Sequence, residues 1–469
     1  MTEKIITTLR DSKKARWTAL LIVSFTMMTG YYINYVISPL KPLLEDYFNW
    51  SSTDFGFWNS AYGWFNVFFL MLIFGGIILD KIGIRFTGLG ATLTMVVGTF
   101  LQFAAIRQLW PMDGVTFGVS NQILIGALGF GVFGVGIEVA GITVSKIIVK
   151  WFQGKELALA MGLEMAMARM GTALALAIPA PIAASMLGKG ALPNVALSAP
   201  LMLGLALLVA GFLAFFYYTF KDKELDKSLA EAKLVSNNHS DEDEFKVKDI
   251  AIVIKNKGFW LIALLCVLFY SGVFPFLYYA ADLMVNKYNV DPKFAGTIPS
   301  LLPFGTIILT PLFGNIYDRK GKGASIMLLG SIMLLLVHSM FALPTINSPA
   351  FAVLLILLLG VTFSLVPSAM WPSVPKIIPE KLLGTAYSMI FWVQNIGLMS
   401  VPLLIGWVLD KYCITNAAAI AEGARPHYDY TLPMVIFATL GLLAIGVGLL
   451  LKAEDKKKGY GLEQPNIKK

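Results

Sequence analysis

Three charged residues lie within long apolar stretches of the sequence, and their chemistry suggests a binding site. Arg169 stands in the segment MGLEMAMARMGTALA together with Glu164, and Glu138 stands in the preceding apolar stretch. An arginine at the centre of a bilayer helix costs at least ~2.5 kcal/mol on insertion scales, so we expect it to have a role that offsets this cost. A carboxylate and a guanidinium together can bind the amino and carboxylate ends of a zwitterion.

Glu138 and Arg169 are predicted to lie at the same depth. The hairpin WFQGKE joins the two stretches, with Glu138 twelve positions before Lys150 and Arg169 twelve positions after Leu157. At 1.5 Å per residue, each is roughly 18 Å from the hairpin. One interpretation is an internal salt bridge that holds two helices together. We favour the other, in which both residues face a central cavity and bind a zwitterion, because intramembrane charges usually mark substrate or ion pathways. The two interpretations are compatible if substrate parts the pair.

The role of Glu164 stays open at this point. It lies five positions before Arg169, which turns its side chain roughly 140° away around a helix. It could face a vestibule on the cytoplasmic side, face a neighbouring helix, or act as a protonation site.

Polar and aromatic residues in other apolar stretches are candidates to complete the cavity. Two pairs share a helix face because their members are four positions apart, namely Tyr31 with Tyr35 and Tyr62 with Asn66. The further candidates for substrate binding are Tyr270, Trp371, Trp392 and Gln394.

The composition identifies the elements that must position these residues as membrane helices. Hydrophobic residues make up 57% of the 469 residues, charged residues make up 14%, and the mean hydropathy is +0.71. Apolar runs long enough to cross ~30 Å of hydrocarbon recur along the chain. We predict twelve spans, at about 17–40, 56–79, 86–107, 120–149, 157–186, 198–220, 258–285, 295–317, 324–344, 350–377, 384–409 and 431–451.

A long polar segment divides the chain into two groups of six spans. The predicted organisation is an N-terminal six-helix bundle (1–220), a cytoplasmic linker (221–257) and a C-terminal six-helix bundle (258–469). Lys and Arg number 20 on the side that carries both termini against seven on the other side. By the positive-inside rule both termini are therefore predicted to be cytoplasmic. The net charge of +8 then reflects topology rather than nucleic-acid binding.

A short motif occurs once in each half. GIILDKIGIR starts at Gly76 and GNIYDRKGK starts at Gly314, so glycine, acid and glycine recur 238 positions apart. This resembles the cytoplasmic loop motif of the major facilitator superfamily, whose members rock two halves about a midplane site. We interpret Asp80, Arg85, Asp318 and Arg319 as gating residues that form a latch in one conformation. A turn that only fixes the topology would also explain the two aspartates.

Several segments carry a more specific resemblance, which extends over nearly all twelve spans. The segments 62–66, 151–172, 271–276 and 368–386 resemble the family of lysosomal dipeptide uniporters within that superfamily. The resemblance implies that an acidic residue in span 4 engages the substrate amino group and an arginine in span 5 its carboxylate, which are Glu138 and Arg169 here. Two departures are evident. The N-terminal tail has no acidic dileucine sorting signal, which favours a bacterial plasma-membrane homologue, and Glu164 stands where an uncharged polar residue is expected.

The leading hypothesis is a twelve-helix carrier that moves dipeptides or similar small zwitterions by alternating access. The alternative is a proton-coupled symporter of a small organic anion, with Arg169 binding the carboxylate and Glu138 or Glu164 carrying the proton. A third possibility is a receptor or scaffold with the same fold. We expect no enzymatic activity, cofactor, metal or nucleic-acid partner. The protein is expected to be a monomer in the lipid bilayer, and the sequence does not reveal an accessory subunit.

Overall fold

The computed structural model describes residues 9–152, 155–236, 250–379, 382–421 and 424–466. Eleven of its helices are long and apolar enough to cross a membrane, and there are twelve such spans when one bent pair is counted as a single span. Large apolar side chains such as Leu21, Ile308 and Leu442 are exposed on the outside of the bundle, as lipid-facing helices require. The predicted all-α, multi-pass architecture of two six-helix halves is confirmed.

The first half contains span 1 (Lys13–Tyr35 and Lys41–Phe48), span 2 (Ser52–Ser60, Trp64–Phe68 and Met71–Ile82), span 3 (Ile84–Arg107), span 4 (Asn121–Phe152), span 5 (Leu157–Ala177 and Pro179–Gly188) and span 6 (Pro193–Ser236). The second half contains span 7 (Lys257–Tyr288), span 8 (Thr297–Lys320), span 9 (Gly323–Ala342), span 10 (Pro349–Ile377), span 11 (Leu383–Tyr412) and span 12 (Thr431–Lys458). Short helical turns occupy Leu9–Asp11, Ser38–Leu40 and Ala61–Gly63, short helices occupy Ile250–Lys255 and Ala417–Ala421, and a hairpin pairs Val115–Thr116 with Val119–Ser120.

The helix of span 6 is longer than its apolar run. It continues to Ser236, well into the segment 221–257 that is predicted to be a linker. Ile250–Lys255 forms a further short helix, and residues 237–249 of the predicted linker lie outside the described residues.

The helix of span 2 is interrupted at positions where the sequence predicts no break. A helical turn of the tighter 3₁₀ type, Ala61–Gly63, interrupts it first. Leu70 then adopts a left-handed conformation with φ of 53°, and the axis bends by 57° between Phe68 and Met71. By contrast, the helices of spans 7 and 10 run without interruption through Pro275 and Pro367. A helix break therefore cannot be read from proline alone in this chain.

The two halves meet most tightly at one end of the bundle. We call the end that carries both termini the terminal side and the other end the distal side. Near the distal end, Gly406 of span 11 lies so close to span 2 that a Cβ atom there would be 2.1 Å from the carbonyl oxygen of Ser52. Gly296, before span 8, approaches span 5 in the same way, with a Cβ at 2.0 Å from the carbonyl oxygen of Leu176. Small residues thus let the halves close on the distal side.

Candidate functional site

A cavity of about 310 Å³ lies between the two halves. Spans 1, 2, 4 and 5 line it from the first half, and spans 7, 10 and 11 line it from the second. Tyr35 and Tyr278 stack with ring centroids 5.0 Å apart at its inner end. Its lining also includes Ile148 and Met161, which are close to the ends of spans 4 and 5 on the terminal side. The cavity therefore extends from the middle of the bundle toward the terminal side.

Glu138 lines this cavity and is held by a tyrosine from span 2. The hydroxyl of Tyr62 donates a hydrogen bond of 2.7 Å to Oε1 of Glu138. Tyr62 can approach because span 4 has a glycine opposite it, and a Cβ on Gly134 would lie 2.3 Å from the carbonyl oxygen of Tyr62. The break at Ala61–Gly63 and this close contact together direct the Tyr62 hydroxyl to the carboxylate. The Glu138 side chain remains partly exposed.

Arg169 lines the same cavity but does not pair with Glu138. Its guanidinium lies 4.8 Å from the ring centroid of Phe363 and 5.9 Å from that of Phe274, both in the second half. Among the described residues, no carboxylate oxygen lies within 4.0 Å of it. The interpretation of a structural Glu138–Arg169 salt bridge is therefore wrong for this conformation. A partly exposed guanidinium beside two aromatic faces is available to bind an anion.

Glu164 is the third charged residue in the cavity lining. Of the orientations that its spacing left open, the structure shows a partly exposed position in the cavity wall, in the part of span 5 nearer the terminal side. The described lining thus carries two carboxylates and one guanidinium. If all three are ionised, it has one uncompensated negative charge.

Most of the other predicted cavity residues also lie in its wall. Tyr270 and Trp371 meet there, with the indole Nε1 of Trp371 donating to the Tyr270 hydroxyl at 3.0 Å. The remaining predicted residues found in the lining are Tyr31, Tyr35, Tyr62 and Gln394.

Two predicted residues do not line the cavity. Asn66 is buried and its side-chain amide donates to the carbonyl of Gly134 at 3.3 Å. Trp392 of span 11 donates from its indole to the carbonyl of Val67 at 3.2 Å. Both lie at the seam between spans 2, 4 and 11, so the prediction that they complete the cavity wall is wrong for this conformation. The reason for Asn66 is the break after Tyr62, since a four-residue spacing places two side chains on one face only in a continuous helix.

Three further residues near the charged groups were not predicted from the sequence. Phe363, which is the aromatic ring nearest to Arg169, stands in the apolar run GVTFSLVP and carries no signal that separates it from packing residues. Tyr278 is four positions after Phe274 and eight after Tyr270, so it shares a face of span 7 with both. This spacing would have predicted it as a cavity residue. Asn34 is a further missed lining residue.

The loop motif forms contacts within each half. Asp80 pairs with Lys146 of span 4 at 2.6 Å, and Arg85 pairs with Asp226 of span 6 at 2.8 Å. In the second half, the Asn466 side chain donates to Asp318 at 2.7 Å, and Arg319 is exposed. The second glycine of each copy has a positive φ, 92° at Gly83 and 70° at Gly321, as the tight turn requires.

Hydrogen bonds and ion pairs between the halves occupy the middle and distal parts of the described chain. The distal ones include Lys41 with Asp282 at 2.8 Å, and the amide of Thr53 with Asp410 at 2.6 Å. Those in the middle include Trp392 with the Val67 carbonyl. The conformation is therefore closed on the distal side.

Comparison with known proteins identifies the family of this chain and several similar transporters. Residues 20–402 match the family model described as Major Facilitator Superfamily. The lysosomal dipeptide transporter MFSD1 of Gallus gallus is 30% identical over 339 residues, which cover 70% of this chain and 70% of that protein. MFSD1 of Homo sapiens is 27% identical over 398 residues, covering 84% and 80%. Among solved structures, a bacterial homologue of the human lysosomal transporter Spinster, in an inward-facing and unoccupied conformation, aligns with a TM-score of 0.69, 15% identity and coverage of 95% and 98%.

Proposed function

Because the chain belongs to the major facilitator superfamily, it is a multi-pass membrane transporter, and we propose that it carries dipeptides or similar small zwitterions by alternating access. The two halves would rock about the cavity between them, opening it to one side of the membrane at a time. The similarity to lysosomal dipeptide transporters supports the substrate class.

The observation that carries the proposal is the arrangement of Glu138 and Arg169. Both line one cavity, and each is held by an uncharged partner, the Tyr62 hydroxyl for Glu138 and the Phe363 ring for Arg169. The ammonium of a ligand could therefore pair with Glu138 and its carboxylate with Arg169, because neither side chain is paired with an opposite charge within the described residues. The termini of an extended dipeptide are roughly 6 to 7 Å apart, a gap that groups on adjacent helices can span.

The cavity also has the size and composition for such a ligand. Its volume of about 310 Å³ is at the lower end of small-molecule sites, which are usually ~300–1,000 Å³. Tyr270, Phe274 and Trp371 supply an aromatic wall from the second half. Aromatic surface accepts side chains of many shapes, so we propose a broad selectivity among dipeptides.

The loop motif and the orientation belong to the same proposal. Asp80, Arg85, Asp318 and Arg319 would form a latch between the halves when the terminal side closes. Because the conformation described is closed on the distal side, the latch would belong to the opposite conformation. The Lys and Arg bias supports cytoplasmic termini, and we propose a monomer in a bacterial plasma membrane.

The position of Glu164 in the cavity lining favours a second candidate function, proton-coupled symport of a small organic anion. An anion that enters the cavity would meet the extra negative charge of the lining, and a proton on Glu164 would cancel that charge. Arg169 would then bind the carboxylate of the anion.

Counterflow in liposomes tests the two candidates together. We expect saturable exchange of labelled dipeptide in purified protein, unaffected by an imposed pH gradient. If an inward proton gradient accelerates substrate uptake by the wild type but not by Glu164→Gln, the result would favour the symporter. Absence of any saturable exchange across dipeptides and organic anions would contradict both, and would leave a receptor or scaffold.

A further inference from the structure

A second group of charges lies outside the cavity, in the distal contact between the halves. Nζ of Lys41 is 2.6 Å from Oε1 of Glu45 and 2.8 Å from Oδ2 of Asp282. The side-chain exposures are 0% for Lys41, 1% for Glu45 and 0% for Asp282. Lys41 and Glu45 belong to span 1 and Asp282 to span 7, so this distal cluster joins the two halves.

The distal cluster has more carboxylate than it can neutralise. One ammonium faces two carboxylates, and the hydroxyl of Tyr430 also donates to Oδ2 of Asp282. Oε2 of Glu45 and Oδ1 of Asp282 are buried and have no hydrogen-bond partner among the described residues. An unpaired ionised carboxylate in a dry site is costly, and such a group usually becomes neutral by binding a proton.

The surrounding groups do not supply the missing positive charge. Asp410 is engaged by the amides of Ser52 and Thr53 at the start of span 2. Arg425, at the rim of the contact, favours the charged form of Glu45, but it also lies 3.9 Å from Asp46, whose carboxylate offsets its charge. The titratable and charged groups that neighbouring elements present to the cluster are Asp46, Tyr279, Asp410, Arg425, His427 and Tyr428.

We propose that the distal cluster is a proton-binding site that senses pH at the distal side and holds the halves closed when it is protonated. Glu45 carries the proton. Asp282 accepts hydrogen bonds from both the Lys41 ammonium and the Tyr430 hydroxyl, whereas Glu45 has the ammonium and only a weaker contact of 3.3 Å from the Ser52 hydroxyl. When the halves part, the O–H bond of the Glu45 carboxyl breaks, the proton passes to distal water, and the hydrated carboxylate remains.

This proton is sensed rather than transported. The stacked rings of Tyr35 and Tyr278 separate the distal cluster from the cavity, and Tyr278 precedes Asp282 by one helical turn. The proton therefore enters and leaves on the same side. Since the closed arrangement binds one proton more than the open one, acid favours closure and base favours opening. The ratio of closed to open molecules should change by up to about tenfold per pH unit.

A distance measurement across the distal side tests the proposal without substrate, so its outcome is independent of the proposed transport function. Leu109, after span 3, and Leu343, after span 9, are exposed and lie in different halves. Nitroxide labels at Leu109→Cys and Leu343→Cys, with Cys266→Ala and Cys413→Ala, report the separation in nanodiscs by pulsed electron resonance. We expect the short, closed distance to gain population as the pH falls from 8 to 5.

The variant that decides the mechanism is Glu45→Gln, which reproduces the protonated carboxyl. We expect it to stay closed over the whole pH range. Asp54→Asn, which removes a distal carboxylate bonded to Ser51 alone among the described residues, should keep the wild-type response. A wild-type distribution that does not change with pH would overturn the proposal. So would an unaltered pH response in Glu45→Gln, or loss of the response in Asp54→Asn.

Discussion

The cavity and the distal cluster contain the same charges in opposite arrangements. Each has two carboxylates and one cation, Glu138, Glu164 and Arg169 in the cavity against Glu45, Asp282 and Lys41 in the cluster. In the cluster the cation touches both carboxylates and all three side chains are buried. In the described cavity lining the cation touches neither, and all three are partly exposed. The pairing of intramembrane charges, rather than their number, separates a closed contact from a site that can receive a ligand.

The packing around each cation explains the difference. Spans 1 and 7 come together at the distal end, so Lys41 reaches carboxylates from both halves. Arg169 instead faces Phe274 and Phe363, whose rings occupy the side of the guanidinium that a carboxylate of the second half would need. The aromatic faces stabilise the cation while leaving its N–H donors for a ligand.

The largest expected effect comes from removing the cation of the cluster. Lys41→Ala leaves two buried carboxylates without a counter-ion, and breaking a buried ion pair in this way typically costs about 3–5 kcal/mol. At the highest pH at which the wild type is still mainly closed, we expect the open distal distance to dominate in the doubly labelled variant. A closed distribution equal to that of the wild type would show that the cluster does not hold the halves together.

A large but more selective effect is expected in the cavity. Arg169→Ala removes the charged group that donates hydrogen bonds to the ligand carboxylate. Such a contact contributes about 1.5–3 kcal/mol, so dipeptide affinity should fall roughly 10- to 150-fold. The melting temperature of the ligand-free protein should change little, because Arg169 holds no ion pair within the described residues. Thermal-shift titration measures both quantities. Strong destabilisation without ligand would make Arg169 a structural residue like Lys41.

A smaller effect is expected from the hydroxyl that positions Glu138. Tyr62→Phe removes the 2.7 Å hydrogen bond but keeps the ring. Losing one hydrogen bond to a charged group should weaken dipeptide binding about 10-fold, at the low end of the range for such bonds. Titration calorimetry checks this value, and Tyr32→Phe, which removes a phenol hydroxyl outside the described cavity lining, is the matched control. Equal losses in the two variants would remove the special role of Tyr62.

The smallest effect is expected at the seam. Trp392→Phe deletes the indole bond to the Val67 carbonyl, which joins the halves but lies outside the cavity lining. We expect an unchanged dipeptide dissociation constant and a transport rate altered less than about fivefold, in keeping with one neutral hydrogen bond. A clearly weaker dipeptide affinity of the variant would place Trp392 in the binding site. It would contradict the assignment of this residue to the seam outside the cavity.

The sequence was sufficient for the fold and for the charged residues of the cavity. Apolar runs of membrane length predicted the spans, because lipid demands such runs. Glu138, Glu164 and Arg169 stood out because charges are rare there. Leu70 did not stand out, because leucine has no preference for the left-handed backbone that this residue adopts at the bend. The earlier 3₁₀ turn at Ala61–Gly63 is why Asn66 does not share a face with Tyr62.

The distal cluster was missed for a related reason. Lys41 and Glu45 lie at the end of span 1, where charged residues are common and usually hydrated. Asp282 looked like an ordinary helix-end residue of span 7. Only the closure of the two halves buries these groups together, and contacts between residues 241 positions apart leave no local pattern in one sequence.

The most direct test of the central claim pairs each charge of the cavity with one end of the ligand. Binding of a dipeptide, its N-acetylated form and its C-terminal amide is measured by calorimetry for the wild type, Glu138→Gln and Arg169→Ala. We predict that the wild type loses affinity for both modified ligands. Glu138→Gln should no longer distinguish the acetylated form, and Arg169→Ala should no longer distinguish the amide. If both variants discriminate against the modified ligands as strongly as the wild type does, Glu138 and Arg169 do not bind the two ends of the substrate.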